Sequence, residues 1–457
     1  MLQAQFKAKF SLVALLVASS LLSGCGDSTT NIVEKDPIAV DDDHDHDHDH
    51  EHDDISTAGR LVISAKDSNL VSVYELEDGA LLDTFAVADT PSALAASPAK
   101  RYALVVQRTT DRVEFIDGGL FQEDHVDHLH DYQQAPALSS FVLSDSRPTH
   151  ITSNDSQTAV FFDGDVNSST PAAVAVITDA DITTDSNGYP VLNYSIHMHG
   201  AAQARGDYLF STIRDANSAT TLPDQVGLYH AHDDHFHEEM VFAETCPNLH
   251  GSAQNAHVIA FGCTDGVLVI TQEGETFTAS KIANTDDFTG TMRIGTLVGA
   301  DHAEHLVGFA GSSMFAIHAE DGEMDLVDWQ GTEGASIVGY GFADKGEKFV
   351  LLDNQGYVTI LSYHGHEHDG AAEEPAFEFA AKVQLTSADV STMPSGSRFE
   401  IAISASDDKV YVTNPIDSTL LTVDIADAEV VATKQLNFMP HKLVWLGIAE
   451  AAEAHDH

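Results

Sequence analysis

The sequence predicts an all-β fold, and three observations support this prediction. From Arg60 onward, short apolar runs such as residues 61–64 and 70–74 are separated by turn-forming residues, here 66–69. The same succession of strand, turn and strand recurs, since the block at 92–117 has a late counterpart at 399–424. No stretch of this region shows sustained helical periodicity.

The spacing of the repeated units predicts the architecture. First strands begin near residues 92, 147, 197, 247, 291, 335, 396 and 442, intervals close to the ~40–50 residues of a propeller blade. The last unit supplies one strand, 442–446, and the first unit lacks its innermost strand. We therefore expect a single β-propeller over 57–448, with its ring closed by the C-terminal strand joining the N-terminal blade. Eight blades are predicted, with seven as the alternative and a pair of β-sandwiches as the competing fold.

The N-terminus has the pattern of an export signal. Lys7 and Lys9 precede the apolar stretch 11–22, and Leu22-Ser23-Gly24-Cys25 matches a bacterial lipobox. We expect residues 1–24 to be a lipoprotein signal peptide and Cys25 to be lipidated, with an ordinary secretory signal as the alternative. Gly26 after the cysteine favours the outer membrane over the inner. Residues 25–56 are predicted to be a disordered acidic tether, and 449–457 a short acidic, histidine-containing tail.

Export into an oxidising compartment bears on the other two cysteines. Cys246 and Cys263 are expected to form a disulfide. The alternative is that both are thiolate ligands of zinc.

The charge balance narrows the possible partners. The chain has 72 Asp and Glu against 21 Lys and Arg, a formal net charge of −51, and 26 His. Such acidity repels nucleic acid and anionic lipid headgroups, so membrane contact is expected only through the N-terminal anchor. It attracts cations, and imidazole together with carboxylate suits zinc.

Several histidine-rich segments are candidates for peripheral metal binding. In residues 41–54, histidines alternate with carboxylates, so in an extended chain they share one face. These candidate zinc ligands are His44, His46, His48, His50 and His52. Insertions between strands add the secondary candidates His125, His128, His130, His232, His235, His237, His364, His366 and His368. Each of these insertions could equally be a soluble loop.

A more specific signal comes from histidines at one structural register. His150, His199 and His250 each precede the second strand of their unit by eight residues, and His441 stands before the closing strand. Equivalent positions on innermost strands converge around a propeller's central channel. We therefore expect these four, together with His197, to form a zinc site. The alternative is that each histidine caps a turn, and other units carry Ser92, Arg293 and Arg398 in the corresponding region.

Other motifs carry less information. Residues 163–167 have the Asp-x-Asp-x-Asn spacing that can bind calcium, although an acidic hairpin turn explains them better. No nucleophile elbow, phosphate-binding loop or His-Glu-x-x-His motif is present in the sequence. We predict a protein that is not an enzyme.

The chain resembles the periplasmic β-propeller zinc metallochaperones. The resemblance rests on the histidine tract at 44–52, on His197-Met-His199-Gly200, and on Cys246-Pro-Asn-Leu-His250-Gly251 with Cys263-Thr-Asp-Gly266. It covers about residues 60–447. It implies zinc capture and direct transfer to the solute-binding protein of a zinc ABC transporter. The remaining alternatives are a propeller enzyme, lactonase or quinoprotein-like, and an envelope interaction scaffold; a monomer is expected.

Overall fold

The computed structural model describes residues 55, 57–124, 129–364 and 375–449. Their regular secondary structure consists almost entirely of antiparallel strands. The predicted signal peptide (residues 1–24), Cys25, the histidine tract at 44–52 and the predicted tail beyond residue 449 lie outside the described residues.

The first half of the ring contains blades 1 to 4, each of which has four strands. Their strands are, for blade 1, β1 (Arg60–Ala65), β2 (Leu70–Glu75), β3 (Leu81–Ala86) and β34 (Pro440–Leu446); for blade 2, β4 (Ala93–Ala96), β5 (Tyr102–Gln107), β6 (Arg112–Asp117) and β9 (Ala137–Leu143); for blade 3, β10 (Pro148–Ser153), β11 (Thr158–Phe162), β12 (Ala173–Ile177) and β13 (Val191–Asn193); for blade 4, β14 (Ala202–Arg205), β15 (Tyr208–Ile213), β16 (Gln225–His232) and β17 (His235–Val241). An inserted hairpin in blade 2 comprises β7 (Leu120–Asp124) and β8 (Leu129–Gln133).

The second half repeats the same four-stranded order. Its strands are, for blade 5, β18 (Ser252–Gln254), β19 (Val258–Cys263), β20 (Gly266–Glu273) and β21 (Thr276–Ala283); for blade 6, β22 (Thr296–Val298), β23 (Leu306–Ala310), β24 (Ser313–His318) and β25 (Glu323–Val327); for blade 7, β26 (Ile337–Ala343), β27 (Lys348–Asp353), β28 (Tyr357–Tyr363) and β29 (Phe377–Gln384); for blade 8, β30 (Glu400–Ile403), β31 (Lys409–Asn414), β32 (Thr419–Asp424) and β33 (Glu429–Gln435).

Helical segments are short. The α-helix α1 (Asp179–Thr184) lies between β12 and β13, and the Thr178 side chain caps it by accepting a hydrogen bond from the Asp181 backbone N–H. Single 3₁₀ turns occur at Arg108–Thr110, Asp344–Gly346 and Val390–Thr392. Among the described residues, no helix has the length and apolar character needed to cross a membrane.

The hydrophobic core is divided into clusters between neighbouring blades. Strand alternation explains this arrangement, because successive side chains point to opposite faces of a sheet. In β31, Val410 and Val412 pack toward blade 7, whereas Tyr411 packs toward blade 1. Equivalent clusters join every consecutive pair of blades from 1 to 8 and join blade 8 back to blade 1. The prediction of an all-β propeller is confirmed.

The closing strand lies where the sequence predicts it. β34 pairs antiparallel with β1, with Ile63 opposite Leu443 and Leu61 opposite Trp445, and it forms the innermost strand of blade 1. The Trp445 indole Nε1–H also donates a hydrogen bond to the Ala58 carbonyl at 3.0 Å. The two ends of the propeller are therefore held in one sheet.

The innermost strands also lie close to their predicted starts. They begin at residues 93, 148, 202, 252, 296, 337, 400 and 440. Blades 3 and 4 have one further connection, because their outermost strands β13 and β17 form a parallel bridge between Val191 and His235. Cys246 and Cys263 form the expected disulfide.

Candidate metal centre

Three consecutive blades each have one histidine on, or just before, their innermost strand. His150 lies on β10, beside a register shift that follows Pro148. His199 and His250 lie in the segments that lead into β14 and β18. Since these strands are the innermost strands of blades 3, 4 and 5, their side chains converge.

The three imidazoles meet through their Nε2 atoms. The Nε2 of His199 lies 3.3 Å from that of His150 and 3.1 Å from that of His250. Nitrogen ligands at 2.0–2.1 Å from a tetrahedral zinc ion lie about 3.3 Å from each other. The cluster therefore already has the spacing of three zinc ligands.

Hydrogen bonds at Nδ1 orient two of the three rings. His199 Nδ1–H donates to Asp163 Oδ2 at 3.0 Å, and His250 Nδ1–H donates to the Gly295 carbonyl at 2.7 Å. A proton held on Nδ1 leaves the Nε2 lone pair free to bind a metal ion. Such partners fix both the tautomer and the direction of the ligand.

Asp163 is itself held by blade 2. The Arg108 Nη2 lies 2.7 Å from Asp163 Oδ2, and Arg108 Nη1 donates to the Arg147 carbonyl at 3.0 Å. Burial raises the pKa of Asp163, but the hydrogen bonds and charges of His199 and Arg108 outweigh it and bring this pKa below its usual value. Asp163 is therefore a carboxylate at neutral pH, and its negative charge favours a cation at the neighbouring imidazoles.

The local environment favours the neutral form of two of the three imidazoles. Burial lowers the pKa of His150 to about 4, and the neighbouring His199 and His250 add to the effect. Burial also lowers the pKa of His250, although the hydrogen bond to Gly295 opposes it. Neutral imidazoles at neutral pH are the form that binds zinc.

The backbone around the cluster is closely constrained. His199 N–H donates to the Thr221 carbonyl at 2.9 Å, and His250 N–H donates to the Gly262 carbonyl at 3.1 Å. A Cβ at Gly200 would lie 2.4 Å from both Phe161 Cζ and Thr212 Oγ1, so only glycine fits beside His199. The Cys246–Cys263 disulfide anchors the segment that leads to His250.

Two of the predicted channel ligands do not join this cluster. His441 lies on β34 in blade 1, where burial, Lys442 and Lys66 lower its pKa. Blade 2, which carries Ser92 in the corresponding region, separates it from blade 3. The His197 backbone carbonyl accepts a hydrogen bond from Arg214. The imidazole of His197 does not belong to the group formed by His150, His199 and His250, whose ligand atoms lie within 4.8 Å of one another.

Sequence reasoning missed the residues that support the cluster. Asp163 was considered only as part of a calcium-like spacing, whereas the structure turns it toward His199. The rest of that segment is a hairpin turn, in which Asp165 bridges to Thr170 and accepts hydrogen bonds from Asn167. No local signal indicated Arg108, because it reaches Asp163 from another blade.

The peripheral candidates are distributed around the molecule. His232, His235 and His237 lie on the β16–β17 hairpin, His130 lies on β8, and His364 follows β28 with its Nε2 3.9 Å from Glu378. His125, His128, His366 and His368 lie outside the described residues.

The fold and this site together define a β-propeller with a three-histidine cluster that can hold a metal ion. In sequence, the chain is similar to the zinc chaperone AztD of Citrobacter koseri, with 22% identity over 421 residues that cover 89% of this chain and 91% of that protein. This finding confirms the resemblance noted from the motifs. No protein-family profile matches the chain.

Solved structures agree with this similarity. The apo form of Citrobacter koseri AztD superimposes with a TM-score of 0.70 at 20% identity, covering 86% of this chain and 99% of that chain. A second crystal structure of the same protein gives a TM-score of 0.71, covering 87% and 99%. The dihydro-heme d1 dehydrogenase NirN shares the fold more distantly, with a TM-score of 0.53 at 9% identity, covering 86% of this chain and 76% of that chain.

Proposed function

We propose that this protein is a zinc metallochaperone that holds its cargo ion at His150, His199 and His250 and passes it to another protein. The observation that carries the proposal is the convergence of three Nε2 atoms at 3.1 and 3.3 Å, the spacing of zinc ligands. The similarity to a zinc chaperone over most of both chains supports the same cargo.

The cluster is suited to transfer as well as to storage. Three histidines leave the fourth position of a tetrahedral ion open, as in zinc sites that exchange a ligand. The His199 side chain is 28% exposed, so an incoming ligand can reach the cluster from solvent. A partner that supplies the fourth ligand can then take the ion through successive ligand exchange without releasing it.

The sequence of the N-terminal segment, residues 1–56, supports a role in the cell envelope. We propose that Cys25 carries a lipid anchor and holds the protein in the periplasm, at the outer membrane in preference to the inner. A second part of the proposal is that the N-terminal tract captures zinc for the propeller through His44, His46, His48, His50 and His52. The acceptor is the solute-binding protein of a zinc ABC transporter. Zinc capture and transfer require no catalytic residues, and we propose that the protein is not an enzyme.

Zinc binding at the cluster is tested on the full chain by competition with a chromogenic chelator. We expect His150→Ala/His199→Ala/His250→Ala to lose a tight zinc equivalent that the wild type retains. The exposed His257 provides a matched control, and His257→Ala is expected to bind as the wild type does. If the triple variant keeps the same number of tight zinc ions, the cluster is not the cargo site.

Transfer is tested by mixing the zinc-loaded protein with a metal-free zinc solute-binding protein and separating the two. A scavenging chelator is present, so only direct transfer delivers zinc to the acceptor. We expect delivery from the wild type and a marked loss of delivery from the triple variant. Delivery that the chelator abolishes would contradict a chaperone role.

A further inference from the structure

A second group of imidazoles lies on the outermost hairpin of blade 4, away from the innermost strands. In the β16–β17 pairing, His230 is opposite His237 and His232 is opposite His235. Directly opposed residues, and residues two apart on one strand, share a face of a sheet. All four side chains therefore project from the same face of this hairpin.

The rings are in contact along this face. The His230 Nδ1 lies 3.3 Å from the His232 Nε2, and the His235 Nε2 lies 3.1 Å from the His237 Nε2. The ring centroids of His232 and His237 are 4.7 Å apart. The four imidazoles thus form a continuous row of neighbouring rings on one face of the hairpin.

An irregularity in the hairpin adds a carboxylate. The register shifts between Leu228 and Tyr229, which pair with Met240 and Glu238, so Glu239 is the extra residue of a β-bulge. The ligand atoms of Glu239, His230 and His232 all lie within 4.8 Å of one another. The bulge thus brings an oxygen ligand to the two nitrogens.

His230, His232 and Glu239 line a cleft of about 560 Å³ that blade 5 helps to form. The β20–β21 turn contributes Glu275 to this cleft. Tyr208 also lines the cleft and packs edge-on against His230 and against Phe277 of blade 5. A metal ion here would sit between a nitrogen-rich hairpin and a further acidic side chain.

We propose that His230, His232 and Glu239 form a second binding site for a divalent cation of the zinc class, with His237 at its border. Two imidazoles and a carboxylate are a common ligand set for zinc. The hairpin is already ordered, because its tip is tied to blade 3 through the Val191 N–H, which donates to the Asp234 carbonyl at 3.1 Å. Binding therefore does not require the ordering of a loop.

This site does not depend on the central cluster. It is built on the two outer strands of blade 4, β16 and β17, and shares no ligand with His150, His199 and His250. The two sites can therefore be tested separately in one protein.

The test uses the full wild-type chain, Zn²⁺ alone as the probe, and diethyl pyrocarbonate, which modifies unligated imidazoles. Modification of each histidine is followed by mass spectrometry. At free zinc about tenfold above the dissociation constant, we expect modification of His230 and His232 to fall about tenfold. Unchanged modification of both residues at saturating zinc would overturn the proposal, whatever happens at His150, His199 and His250.

Variants provide the second readout. His230→Gln/His232→Gln should bind one zinc equivalent fewer than the wild type, with the same metal-free melting temperature. The matched control is His257→Gln/His302→Gln, which changes two exposed histidines at turns and should bind as the wild type does. An unchanged zinc count in the first variant overturns the hairpin site. If zinc protects His230 and His232 of the wild type from modification but does not protect His150, His199 and His250, the proposed function is overturned and the hairpin site stands.

Discussion

Asp163 is the residue whose charge is most closely coupled to the central cluster. It accepts a hydrogen bond from His199 Nδ1 and is 6% exposed, so solvent does little to screen it. We predict that Asp163→Asn weakens zinc binding about 10–100-fold, because an amide is a poorer acceptor and carries no charge to balance the ion. Chelator competition measures the change.

Asp286→Asn is the matched control, because Asp286 is an exposed acid of the same type. It should leave zinc affinity unchanged. Equal affinity for Asp163→Asn and the wild type would show that the carboxylate behind His199 does not tune the site.

Individual residues also show what sequence reasoning can find. His150, His199 and His250 were predicted as a group because all three occupy one register of a repeated unit, and the repeat makes that register visible. His441 fits the same pattern, yet its blade is not adjacent to theirs, and the pattern does not encode this distance. The roles of Asp163 and Arg108 arise from contacts between blades, which have no sequence spacing.

At the scale of elements, strand β34 closes the ring. Leu443 and Trp445 pack with Leu61 and Ile63 of β1 and with Tyr411 of blade 8. We predict that Leu443→Ala lowers the free energy of unfolding by about 2–5 kcal/mol, because it leaves a cavity in the buried cluster that joins β34 to β1 and to blade 8. Equilibrium unfolding in urea measures the loss.

Val431→Ala on the outer strand β33 is the matched control, since Val431 is 46% exposed. Its effect should stay within about 0.5 kcal/mol. Equal destabilisation by the two substitutions would show that the closing strand has no special role in stability.

The elements follow from the sequence more completely than the site does. Each innermost strand begins within about five residues of its predicted start, because alternating apolar residues and turn residues act locally. The bulge at Glu239 and the bridge from β13 to β17 were not predicted. Both depend on how neighbouring strands pair, which a single strand's pattern does not specify.

For the whole molecule, the acidic surface attracts cations in general, whereas the half-buried His150 disfavours binding a proton. The formal charge of −51 draws cations toward the protein. Within the central cluster, burial disfavours the charged form of His150 and lowers its pKa from the ordinary histidine value of 6.5 to about 4. Metal cations are thus attracted to the surface, while protons compete poorly for His150.

This difference makes the stability of the metal-free protein depend on pH. Between pH 6.5 and about 4, His150 binds a proton in the unfolded chain but not in the folded one. The free energy of unfolding should therefore be fully retained above pH 6.5 and fall as the pH is lowered, by about 3 kcal/mol from this residue. His150→Asn removes the group and should show a correspondingly shallower fall. Urea unfolding of both metal-free proteins between pH 7 and about 4.5 measures the two slopes, and parallel slopes would show that His150 does not carry the effect.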